Sequence, residues 1–260
     1  MFGYIPSRER NSIRTFYEEN YLCPMKKEID WKTVRTVKKL SECVREYRSD
    51  SYSKVVPFNA LKPDSGNHIL NFPNDTLYIC LADFNDTDNI CKRIEKGDYN
   101  ALILNISVNP GGSVQKMLNI AGLLITKPVD LCLDYRSGTR KYAIYGNPDM
   151  EGKDICILTS KNTVSSAEIL AYIIKEGNPD SSIKGGRTFG KAEGQVSRIN
   201  RKYKYVFSLT AYVWSVNGLT CGQLQEKYSD DFDDEAADIS EYLEKFGAEA
   251  GVRNQERLNT

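Results

Sequence analysis

Ala101-Leu102-Ile103-Leu104-Asn105-Ile106-Ser107-Val108-Asn109-Pro110-Gly111-Gly112-Ser113 is the stretch on which the fold turns. Its first seven residues are almost all apolar and show no polar alternation, the pattern of a strand covered on both faces. Asn109-Pro110-Gly111-Gly112 then breaks the strand. Ser113 follows as a cap for a helix that carries Met117, Leu118, Ala121 and Leu124 at helical spacing. A buried strand, a glycine turn and a helix make one step of an α/β core.

The flanking sequence extends this pattern. Upstream, Thr76–Phe84 reads as a strand and Asp86–Lys96 as a helix with Asp86 or Thr87 near its cap. Downstream come strands at Val129–Tyr135 and Lys141–Tyr145, then a short buried strand at Asp154–Thr159. Ser165–Lys175 reads as a helix with Ile169, Leu170, Ile173 and Ile174 inward. Lys202–Val216 reads as a strand that bends before the hairpin-type pair Asn217-Gly218, and Asp238–Phe246 as a closing helix. The first 70 residues read as helical, with an amphipathic helix from Asp30 to Tyr47 marked by Trp31, Val34, Val37, Leu40 and Val44. The expected organisation is a helical N-terminal segment, residues 1–75, packed on an α/β core, residues 76–260, with an antiparallel strand addition and a C-terminal helix.

Composition narrows the function classes. The 260 residues carry 35 basic and 35 acidic side chains, so no basic surplus points to a nucleic-acid partner. At 40% apolar and 27% charged the chain is ordinary globular protein. His68 is the only histidine, which rules out a multi-histidine zinc site and obliges any Ser-His-Asp triad to use it. Seven dispersed cysteines without a C-x-x-C pair read as reduced, mostly buried thiols. No metal and no cofactor is implied. The acidic run Asp230–Glu235 lacks the spacing of a calcium loop and reads as a solvated loop or helix start. No apolar run reaches the length of a membrane span, and the first residues show no signal peptide. The chain as written is therefore expected in the cytoplasm, or exported if an upstream signal has been removed.

Three segments carry chemistry-bearing residues. Gly185-Gly186-Arg187-Thr188-Phe189-Gly190-Lys191 satisfies the phosphate-binding skeleton G-x-x-x-x-G-K. Ala192 stands where a serine or threonine would hold magnesium, however, and the sequence beyond runs toward strands. A nucleotide hydrolase is set aside on those grounds. Thr159–Ile169 places serines at a helix start, where free backbone N–H groups and the helix dipole favour negative charge. Asn109–Gly112 repeats that geometry, with two glycines that let a backbone approach a ligand closely. Taken singly, the last two read as a helix cap and a bare turn.

In this order and at this spacing, the three segments resemble the C-terminal processing (tail-specific) serine peptidases, which have a serine–lysine dyad on a ClpP/crotonase-like fold. Leu102–Ser113 is similar to the family's apolar strand ending in N-P-G-G-S. Thr163-Val164-Ser165-Ser166-Ala167-Glu168 is similar to its nucleophile motif T-x-S-A-[SA]-E. Gly185–Lys191 with Gln195 is similar to its G-E-x-T-F-G-K-x-x-x-Q motif. The resemblance spans about residues 76–220.

It implies Ser165 as nucleophile, counting back three from Glu168, Lys191 as general base and Gln195 as the residue that orients the lysine. It further implies an oxyanion hole from the backbone of Ser166 and of the Gly111–Gly112 turn. Ser166 competes for the nucleophile role, because the family's usual serine-to-lysine separation fits it better by one residue. The chemistry is coherent. A serine hydroxyl needs a base during attack, and a lysine can serve only when burial lowers its pKa from about 10.4 toward neutrality. An uncharged partner such as Gln195 suits this, since a carboxylate would hold the lysine protonated.

The sequence also departs from the pattern. Asn105, Gly186 and Ala192 replace the common Asp, Glu and Gly, and residues 1–75 show no recognisable PDZ domain. The expected partner is a protein or peptide substrate bound as an extended or C-terminal segment, with a separate recognition partner or oligomer as a further expectation. The alternative is a non-catalytic ligand-binding module on the same fold, like the family's retinoid-binding relatives.

Overall fold

The structure is a computed structural model and describes residues 3–58 and 66–232. In chain order its elements are α1 (Ser7–Asn20), α2 (Val37–Tyr47), β1 (Lys54–Pro57), β2 (His68–Phe72), β3 (Thr76–Cys80), α3 (Asp88–Lys96), β4 (Ala101–Asn105), α4 (Val114–Leu124) and β5 (Val129–Tyr135). They continue with β6 (Gly138–Ile144), β7 (Asp154–Thr159), α5 (Ser166–Gly177), β8 (Ser182–Gly185), β9 (Glu193–Asn200), β10 (Tyr205–Val216), β11 (Leu219–Thr220) and α6 (Cys221–Lys227). The described residues gather into two compact units, one of 3–58, 133–140 and 193–214, the other of 66–132, 141–192 and 215–232.

The second unit holds a five-stranded sheet in the order β2-β3-β4-β7-β8. β3, β4, β7 and β8 run parallel, and β2 adds antiparallel at the β3 edge. Every residue of β3 and β4 is buried, which is why neither sequence alternates. Tyr78, Cys80, Ile103, Cys156 and Leu158 form one packed face across β3, β4 and β7. α5 buries ten of its twelve residues, and at about 1.5–3 kcal/mol for each large apolar side chain removed from water it is a main anchor of this unit. This is the α/β core expected from the sequence.

In the first unit, β1 and β9 both pair antiparallel with β10. The core beneath joins Ile13 of α1, Leu40 and Val44 of α2, Val55 of β1, and Tyr205, Phe207 and Leu209 of β10. The N-terminal region therefore contains a strand as well as helices, and it shares its core with residues 193–214; the compact units cut the chain differently from a boundary at residue 75.

Several boundaries move. α2 starts at Val37 rather than Asp30, because the Asp30 carboxylate takes the Lys32 N–H at 3.1 Å and forms a turn, while the Thr36 hydroxyl caps the helix at Lys39 N–H. His68 opens the edge strand β2. All seven cysteines are free thiols, four of them buried. Asn217 and Gly218, both with positive φ, make the expected hairpin turn between β10 and β11. The expected helix Asp238–Phe246 and the end of the Asp230–Glu235 run lie outside the described residues. Among the described residues no helix is long and apolar enough to cross a membrane.

Candidate active site

The sheet order brings the three motifs to one edge. β4, β7 and β8 are adjacent and parallel, so the segments after Asn105, Thr159 and Gly185 all leave from the carboxyl ends of neighbouring strands. In open α/β sheets that is where ligand sites form.

Side chains of the motifs lock these loops together. Asn109 is fully buried; its Nδ2 donates to the Leu81 carbonyl at 2.9 Å and its Oδ1 accepts the Gly111 N–H at 2.8 Å. Its own carbonyl accepts the Val164 N–H at 3.0 Å, tying the glycine turn to the serine loop. Thr163, also fully buried, donates its hydroxyl to the Ile106 carbonyl at 2.9 Å and accepts the Ser160 N–H at 3.0 Å. Gly111, at φ +92°, lies so close that a Cβ there would stand 2.6 Å from the Val164 oxygen and 2.9 Å from the Ser165 Cβ. Only glycine allows that approach.

The two serines separate clearly. Ser166 is buried in the first turn of α5, and its hydroxyl donates to the Gly112 carbonyl at 3.0 Å. Ser165 is the N-cap, half-buried, with φ 60° and ψ −122°. A non-glycine residue at such angles is strained by about 1–3 kcal/mol and keeps them only where its surroundings enforce them.

Glu168 is one enforcer. It is fully buried. Its Oε2 accepts the Ser165 N–H at 2.7 Å and the Lys191 N–H at 3.1 Å, and its Oε1 accepts the Gly190 N–H at 2.6 Å. Burial pushes this carboxyl above its ordinary range, and the N–H groups of Ser165, Gly190 and Lys191 with the Thr188 hydroxyl pull it back without cancelling that rise. Lys191 itself is buried, 7% exposed. The preceding loop is fixed by Thr188, whose carbonyl and hydroxyl accept Gln225 Nε2 at 2.9 and 3.1 Å.

Of the expected site residues, the structure thus gathers Ser165, Ser166, Gly111, Gly112 and the backbone of Lys191. Among the described residues the N–H groups of Gly112 and Ser166 take up no hydrogen bond. Within the glycine pair the two differ: the Gly111 N–H is engaged by Asn109 Oδ1 at 2.8 Å, and the Gly112 N–H is not. Gln195 lies on β9 opposite Thr210, and its Nε2 donates to the Tyr52 carbonyl at 2.6 Å. His68 Nδ1 sits 3.0 Å from the Gly66 carbonyl on the β2 edge. The Gly185–Lys191 segment enters strand β9 and not a helix, which removes the phosphate-loop reading. What sequence reasoning missed is Glu168 as a shared acceptor. The signal was present: Ser165-x-x-Glu168 is the capping-box spacing.

Comparison with known proteins gives a consistent result. A probable CtpA-like serine protease of Staphylococcus saprophyticus is 28% identical over 110 residues, 41% of this chain and 22% of that protein. A carboxyl-terminal-processing protease of Synechocystis is 26% identical over 119 residues, 44% of this chain and 28% of that protein. The chain thus matches only about a quarter of these relatives' length. A solved lipoprotein from Streptococcus agalactiae shares the fold over 89% of this chain and 98% of its own, with a TM-score of 0.58 at 19% identity. The model of Peptidase family S41 matches residues 75–225. That match runs from β3 into α6, with all three motifs, and on it the chain belongs to peptidase family S41.

Proposed function

We propose that this chain is a serine peptidase that cleaves peptide bonds by acyl transfer, with Ser165 as nucleophile, Lys191 as general base and Gln195 orienting the lysine. The observation that carries the reading is the Ser165 turn: a strained, half-buried serine at a helix N-terminus, beside a serine whose hydroxyl is already committed. In the reaction Ser165 Oγ attacks the substrate carbonyl carbon and gives its proton to the neutral Lys191 amine. The lysine passes that proton to the leaving amine as the peptide C–N bond breaks. Water, deprotonated by Lys191, then hydrolyses the ester and frees Ser165.

The negative oxygen of each tetrahedral intermediate faces the N–H groups of Ser166 and Gly112. Such donors contribute about 3–4 kcal/mol each to the transition state. Burial of Lys191 supports its role, since it disfavours the charged ammonium. Val108 and Phe189, both apolar and more than half exposed, stand on the loops that carry Gly112 and Lys191 and favour apolar substrate side chains. The names of the curated relatives, which speak of carboxyl-terminal processing, favour C-terminal segments of proteins as substrates.

A fluorophosphonate probe tests this directly. It is expected to label the wild type at Ser165 and to leave Ser165→Ala unlabelled, with digestion of a peptide library lost in the same variant. A folded wild type that neither labels nor cleaves would overturn the proposal.

A further inference from the structure

We propose that Asp50 is a positioning residue for Gln195: the turn it organises presents the Tyr52 carbonyl that fixes which end of the Gln195 carboxamide serves as acceptor. The inference rests on the reading of Gln195 as the group that orients the Lys191 amine. It assigns a task to a segment that the three motifs leave unused.

Asp50 is the centre of a satisfied polar cluster. Its Oδ1 accepts the N–H groups of Tyr52 at 2.7 Å and Ser53 at 2.6 Å and the Thr210 hydroxyl at 2.8 Å. Its Oδ2 accepts the Tyr21 hydroxyl at 2.7 Å. Ser53, fully buried, returns the contact by accepting the Thr210 N–H on Oγ at 3.0 Å, and Arg48 donates to the Ser53 carbonyl. Thr210 is also the cross-strand partner of Gln195. The turn and the glutamine are therefore both referenced to one residue of β10.

The chemistry of the contact decides the orientation. A carbonyl oxygen only accepts, so the Gln195 atom that meets Tyr52 O must be the NH2 group. The reversed amide would set two oxygens against each other. Oε1 is thus directed away from Tyr52, as the acceptor end. Beside it, the strand pairing shifts at Thr210/Tyr212, and Gly194 leaves room for the Tyr212 ring, which a Cβ would strike at 1.9 Å. Backbone and side chain of Gln195 are both constrained.

The test is a double-mutant cycle on the full chain, read by kcat and KM on a peptide substrate. Asp50→Ala is expected to lower kcat about 5–10-fold with KM little changed. It is also expected to move the acid limb of the kcat/KM profile in the same direction as Gln195→Ala does. In a Gln195→Ala background the same substitution is expected to change kcat less than about twofold. Asp50→Asn, whose Oδ1 can still accept the three bonds of the turn, is expected to restore turnover to within about threefold of wild type.

Equal losses in both backgrounds, or an Asn variant as impaired as Ala, would overturn the proposal while leaving the peptidase reading intact. A wild type without Ser165-dependent turnover would remove both. If Asp50→Ala does not fold, the Gln195 side-chain amide of the wild type decides by nuclear magnetic resonance. Slow hydrogen exchange and hindered rotation are expected; a freely rotating amide would overturn the assignment.

Discussion

The backbone N–H groups of Ser165 and Lys191 donate to one and the same atom, Oε2 of the buried Glu168, at 2.7 and 3.1 Å. The proposed nucleophile and base arrive on different loops, 26 positions apart in sequence, and a single carboxylate oxygen sets their main chains together. Because Oε1 is occupied by the Gly190 N–H, neither oxygen can be spared.

Glu168→Gln should therefore be far from conservative. A carboxamide has one acceptor oxygen, and its NH2 would face one or more N–H donors in either orientation. A stability loss of about 2–4 kcal/mol is expected, together with a fall of about 100-fold or more in the rate of fluorophosphonate labelling at Ser165. Thermal melting and labelling kinetics on the same sample check both.

Ser166→Ala is expected to behave in the opposite way. The hydroxyl it removes donates to the Gly112 carbonyl, and its backbone N–H stays in place. Labelling of Ser165 should persist within about tenfold, with a stability cost of about 1 kcal/mol. Loss of labelling equal to that in Ser165→Ala would make Ser166 the nucleophile instead.

Gly111→Ala should pry the glycine turn from the serine loop. The new methyl meets the Val164 oxygen and the Ser165 Cβ at impossible distances, and φ +92° adds strain. About 2–4 kcal/mol of stability and nearly all activity should be lost. Gly138 makes the control: its φ is +125° but a Cβ meets nothing within 4 Å. Gly138→Ala should cost only the backbone strain, about 1–2 kcal/mol, and leave turnover unchanged.

Asp50 gives a pH signature. Burial alone would raise its carboxyl, but the bonds from Tyr21, Ser53, Thr210 and Tyr52 outweigh that and hold it at about 2, against an ordinary 3.8. A depressed carboxylate contributes stability above its unfolded value and loses it as pH falls through the folded one. Between about pH 4 and pH 2 the wild type should therefore lose roughly 1–2 kcal/mol, after allowance for solvent screening, that Asp50→Asn does not lose. Denaturant melts of the two proteins across that range measure the difference. Glu168, shifted upward, has the opposite sign and is common to both.

β7 was legible to the residue, and β4 to within its last turn, because a run of consecutive apolar residues bounded by turn formers has few other uses. Ser113 was legible as a cap, and its Oγ accepts the Lys116 N–H at 3.3 Å. The edge strand β2 was not. Its five residues include His68 and Asn71, and none is fully buried, so its strand state comes from pairing with β3 rather than from its own pattern. β1 and β8 escaped because four residues with one buried side chain each are too short to show a period.

By itself the sequence determined the α/β core and the order of the three motifs, since these follow from local periodicity and spacing; the residues proposed for acyl transfer came from the resemblance those motifs carry. Only the tertiary structure decided which of two adjacent serines ties its hydroxyl proton to the Gly112 carbonyl, which of two adjacent glycines has its N–H engaged by Asn109, and that one Glu168 oxygen holds the Ser165 and Lys191 backbones together. A hydrogen bond depends on where two groups end up in space, and neighbours one residue apart in a chain can face opposite partners; composition and periodicity do not encode that, whereas packing does.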